Sequence, residues 1–154
     1  MNRVSTLVKA LALVVATTGC GLALAAGSTT LAVTATVLGT CKFSALSTPL
    51  AFGTIDPSST VNATAAASVL YKCTKGTTSA GVTFTTGGTA RTMTGPGAVT
   101  MGYSVTLTGG TQTGTGFGTG QDLTLAVAGT ITPAQFQNAT VGAYLENVLL
   151  DITP

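Results

Sequence analysis

Between Thr29 and Cys41 the chain alternates without a break. Leu31, Val33, Ala35 and Val37 fall at every second position, with Ala32, Thr34 and Thr36 between them. Period two is the mark of an extended strand with one apolar face. The pattern recurs at Val82 and Phe84, at Tyr103, Val105 and Leu107, and at Leu123, Leu125 and Val127, each run bounded by Gly, Thr, Ser or Asn. Thr on the opposite positions suits a sheet face that meets water. Strands are predicted over 30–38, 49–55, 68–73, 81–86, 100–108, 122–128 and 144–152. The one helix-like stretch is 132–139, a turn or two at most, with Thr132 as cap and Pro133 at the first helical position. The Gly- and Thr-rich stretch 108–121 reads as a long hairpin loop with a mobile tip. The fold class is all-β.

The first 25 residues have a different character. Arg3 and Lys9 precede an apolar run from Ala10 to Ala25, and Ala23-Leu24-Ala25 has the small-x-small form that a signal peptidase reads. Cleavage is expected near Ala25 or Ala26. A membrane anchor fits less well, because Thr17-Thr18-Gly19-Cys20-Gly21 interrupts a run already short for a span of about 20 residues. A lipoprotein processed at Cys20 would carry an aliphatic residue where Thr17 stands.

Export changes the charge argument. The whole chain has six Lys and Arg against four Asp and Glu. Without Arg3 and Lys9, what remains is Lys42, Lys72, Lys75 and Arg91 against Asp56, Asp122, Glu146 and Asp151, formally neutral. No basic patch survives to neutralise a row of phosphates, so nucleic acid is not an expected partner. Sparse charge gives weak self-repulsion, which suits a subunit built to associate. About 128 residues remain, enough for one domain with a core. Cys20 leaves with the signal, so Cys41 and Cys73 form an even pair in an oxidising setting and are predicted to be disulfide-bonded, the alternative being two buried thiols.

Catalytic chemistry finds little to work with. The chain has no His, hence no imidazole base, and a bridged cysteine pair is neither nucleophile nor metal ligand. The four carboxylates are scattered; Asp56 and Asp151 are the one pair considered for acid-base work, and a turn and a strand end are the plainer explanation of each. Gly114-Thr115-Gly116-Phe117-Gly118-Thr119-Gly120 lacks the strand, helix and Lys-Ser/Thr of a phosphate loop. No enzyme activity, cofactor or metal is expected. The Asn-Ala-Thr triplets at Asn62 and Asn138 carry no weight on their own.

Several segments taken in order resemble the spore coat protein U domain family, which includes the pilins of archaic chaperone-usher pili. An N-terminal alternating strand leads to Cys41. "PLAFGTIDP" at 49–57 is similar to the family's aromatic-Gly segment and Asp-Pro turn. "SVLYKCTKG" at 68–76 matches the strand ending in its second Cys, and "MGYSVTL" at 101–107 its Tyr-containing middle strand. "AGTITPAQFQNATVGAYLENVLLDITP" at 128–154 resembles the closing pattern of a Pro-bearing loop, Gly-x-Tyr and a terminal alternating strand. The departures are Glu146-Asn147, where an Asp is usual, and a shorter central region.

The resemblance implies an incomplete immunoglobulin-like β-sandwich lacking its last strand, divided as 1–25 signal peptide, 26–40 N-terminal donor-strand extension and 41–154 pilin domain. Stopping at Pro154, such a domain leaves a groove whose edge is Tyr144, Val148, Leu150 and Ile152. Leu31, Val33, Ala35 and Val37 would complete a neighbouring copy by strand addition. The alternative is that 30–38 is this domain's own first strand. The function implied is that of a pilus (fimbria) subunit serving adhesion or biofilm formation. Its partners would be copies of itself or related pilins, a periplasmic chaperone and an outer-membrane usher, and it would meet the membrane only during export. The alternative function is a secreted spore-coat or matrix protein of the same fold that does not polymerise by strand exchange.

Overall fold

Alternation builds the central strands. In β6 (Leu123–Ile131) buried and exposed residues alternate from end to end, and Leu125 and Ile131 are fully enclosed. The computed structural model describes residues 27–79 and 81–154. The signal-peptide, anchor and lipoprotein readings of residues 1–25 lie outside the described residues.

β6 is flanked by β2 (Ala63–Cys73) and β5 (Thr100–Thr108), and beyond them lie β1 (Cys41–Phe43) and β4 (Ala90–Thr94). All neighbours are antiparallel, in the order β1-β2-β6-β5-β4. A second, two-stranded antiparallel sheet pairs β3 (Gly81–Phe84) with β7 (Leu150–Thr153). The inner faces meet in a core of Tyr71, Val82, Tyr103, Val105, Leu125, Ile131 and Phe136. The fold is thus all-β, made of curled antiparallel sheets.

The predicted disulfide is present: Cys41 and Cys73 are directly opposed in the β1–β2 ladder and joined across 32 residues of sequence, both buried. The single helix is one turn, α1 (Pro133–Phe136), shorter than 132–139. Pro133 opens it as expected, and the Thr132 N–H donates to Gln135 Oε1 at 2.8 Å.

Several strand predictions need correction. Residues 30–38 carry no strand, because a strand is defined by a ladder and these residues have none. Residues 49–55 likewise carry none; Leu50 and Phe52 pack instead over Gly129, where a Cβ would stand 2.7 Å from Phe52 Cζ. The terminal strand is limited to Leu150–Thr153, although burial alternates with period two from Tyr144 to Ile152. The predicted 81–86 stops at Phe84. β1 and β4 were not foreseen, nor were residues 63–67 at the start of β2; in β4 an arginine and a methionine share the inward face.

The loop 108–121 is stitched down along most of its length. Gly114 N–H donates to Thr77 O at 2.7 Å, Gly76 N–H to Gly114 O at 2.9 Å and Gly116 N–H to Cys73 O at 3.0 Å. Gln112 Nε2 donates to Thr124 O, and Lys72 Nζ to Gly118 O. Gly114 is required here, because a Cβ would meet the carbonyls of Cys73 and Thr74. The mobile tip expected from composition is tethered at Gly118.

Candidate functional site

Two stretches without a ladder, 50–55 and 139–144, line an open cleft of about 560 Å³ whose surface is nearly as polar as it is apolar. Leu50, Phe52 and Ile55 form one wall and Gly142 to Tyr144 the other, with Met93, Met101, Ile131 and Phe136 between them. Among the described residues, no backbone hydrogen bond is made by 50–55 or by 146–148. The first wall ends in a turn in which Asp56 Oδ1 accepts from Ser58 N–H at 2.8 Å and Ser58 Oγ at 2.7 Å. Those two bonds hold the Asp56 carboxyl below its usual pKa.

The second wall is held by β4 and the turn after it. Thr94 and Leu145 exchange both backbone bonds at 3.0 Å. The Tyr144 ring lies over Gly95, and Gly142 lies against Pro96. One position further along, Arg91 Nη2 and Nε donate to Glu146 Oε1 at 2.6 and 3.0 Å. Arg91 Nη1 also donates to Thr86 O at 3.0 Å, and the guanidinium carbon sits 5.2 Å from the Phe84 ring centre. Glu146 Oε2 is buried without a hydrogen-bond partner among the described residues. Tyr103, opposite Arg91 in the ladder, has its phenol pKa pushed up to about 12, by burial first and then by the Glu146 carboxylate.

The structure places the predicted site residues in two sets. Tyr144 lines the cleft and packs on the core, Val148 is half-buried but does not line the cleft, and Leu150 and Ile152 continue the same inward row on β7, packed on the core. Leu31, Val33 and Val37 are 82%, 83% and 81% exposed, and Ala35 is exposed as well. Sequence reasoning missed Arg91, Gly95 and Met93. The signal available was Arg91-Thr92-Met93-Thr94, an alternation in which a charged residue stands where an apolar one is expected.

No group of three or more His, Cys, Asp or Glu side chains that could hold a metal occurs among the described residues. The fold is that of an all-β protein with an open cleft between two unladdered chain segments. No family model, curated protein or solved structure matches the chain.

Proposed function

We propose that this chain is an exported structural subunit that polymerises by strand addition, residues 30–38 of one copy entering the groove of the next. The observation that carries it is the open cleft lined by two segments, 50–55 and 142–144, that make no backbone hydrogen bond among the described residues. A strand laid there would supply hydrogen-bond partners to 50–55 and 142–144 and apolar side chains to the cleft. Leu31, Val33 and Val37 have the right spacing and stand exposed. Burying them would contribute roughly 5 to 9 kcal/mol before ordering costs.

The ordered motifs that resemble spore coat protein U domains support the same reading. On it the domain is an immunoglobulin-like sandwich completed in trans. The chain is secreted through a signal peptide, held in the periplasm by a chaperone and passed by an usher into an adhesive or biofilm-forming pilus. The role is structural, with no catalysis and no cofactor.

The test is Val33→Asp against Thr34→Asp, assayed for polymer by size exclusion and electron microscopy. A charge at position 33 would be buried in the neighbour at a cost of several kcal/mol. Val33→Asp is expected to stop at the monomer, or at a chaperone complex, with the Cys41 to Cys73 bridge intact. Thr34→Asp is expected to polymerise. Unfolding of Val33→Asp would instead assign 30–38 to this domain's own core.

A further inference from the structure

The inner face of β4 carries one residue that a purely apolar groove does not call for. Arg91 is the single arginine among the described residues, and its side chain is 8% exposed, its partner Glu146 20%. Burying an ion pair costs desolvation that the attraction barely repays, and an apolar pair of similar volume is often as stable. Stability alone is therefore a weak reason for it. Its position offers a better one.

Arg91 and Met93 point the same way from β4, and Glu146 and Tyr144 the same way from the facing segment. Met93 and Tyr144 line the cavity, so the ion pair is the adjoining row. Beyond the Thr94 to Leu145 bridge, the backbone of 146–148 has no partner, and the next hold is Thr85 N–H to Leu149 O at 3.0 Å. Across that gap the fork of Arg91 is what grips the wall. The fork is itself fixed by Thr86 O and by the Phe84 ring.

We propose that Arg91 is a positioning residue for strand acceptance: paired with Glu146, it fixes the separation of segment 144–149 from β4 and keeps the groove open for an incoming strand. This inference rests on the strand-addition reading. Its distinctive claim is that the pair governs affinity for the donor more than stability of the domain. Lysine, a single point donor, cannot reproduce two bonds to one carboxylate oxygen.

The experiment uses the full exported chain carrying Val33→Asp, which blocks self-addition, and a labelled synthetic peptide of residues 27–40 as probe. In that background Arg91→Met with Glu146→Leu is expected to leave the urea midpoint nearly unchanged and to weaken peptide binding about tenfold. Arg91→Lys is expected to fall between. Should the double variant fail to fold, Arg91→Gln with Glu146→Gln, which removes both charges and keeps polar side chains of similar reach, is expected to weaken binding about threefold at nearly unchanged midpoint. Peptide affinity equal to the parent's in a folded variant would overturn the positioning role while leaving strand addition standing. A parent that does not bind the peptide would remove both.

Discussion

The ring of Tyr144 fills the space that a side chain on Gly95 would need: a Cβ at Gly95 would stand 2.5 Å from Tyr144 Cε1 and 2.7 Å from Cδ1. Gly95 has φ −115°, an ordinary extended value, so the requirement for glycine is steric and comes from across the molecule.

Gly95→Ala is therefore expected to destabilise the domain by about 1 to 3 kcal/mol through overpacking. Tyr144→Ala in the same chain should recover part of that loss. Urea unfolding of the two single variants and the double variant measures the coupling. Additive effects would show that the ring moves aside freely.

Removing the bridge by Cys41→Ala with Cys73→Ala is expected to cost about 3 to 4 kcal/mol, from the chain entropy released by opening a 32-residue separation. Denaturant midpoints before and after the substitutions check the magnitude. A thiol assay on the denatured, unreduced parent checks that neither cysteine at 41 or 73 is free.

Gly114→Ala is expected to lift the 110–116 loop off the strand end, because the new Cβ meets backbone oxygens that cannot turn away. The amides of Gly114 and Gly116, now bonded to Thr77 O and Cys73 O, should exchange with solvent deuterium at least about tenfold faster. Unchanged protection would mean that the loop adapts in place.

The raised phenol of Tyr103 makes a pH prediction with a definite sign. Its ordinary value is near 10 and its folded value about 12. Between these the unfolded chain releases the proton while the folded chain keeps it, so stability is whole below about pH 10 and declines as pH rises towards 12. Ultraviolet titration should show one tyrosine ionising near pH 12, absent in Tyr103→Phe. Glu146→Gln should bring that value down, since the carboxylate is one of the groups holding it up.

Much of the fold was legible in residue order, and two of the misses share a cause. β5 was placed at its full extent, 100–108, and β6 in all but its last turn of alternation, because both are central strands whose two faces meet different surroundings. The disulfide followed from the parity of Cys41 and Cys73 once residues 1–25 were read as a removable signal. Residues 30–38 and 49–55 show the same period two and form no ladder. Periodicity reports which side chains share a face, whereas a ladder depends on a neighbour that may sit anywhere in sequence or on another chain.

The groove shows the division most clearly. From Tyr144 to Ile152 residue order alone dictates which side chains turn inward, since alternation is a local property of extended backbone. Where that inward face finds its neighbours was decided only in the tertiary structure. The Gly95 seat under Tyr144, the Arg91 grip on Glu146 and the tethers of Gly114 at Thr77 and of Gly116 at Cys73 each join residues 37 to 55 positions apart. Such contacts need a vacant Cβ or a reaching side chain at one point in space. Composition and spacing fix neither, because both are set by the packing of strands that are not neighbours in the chain.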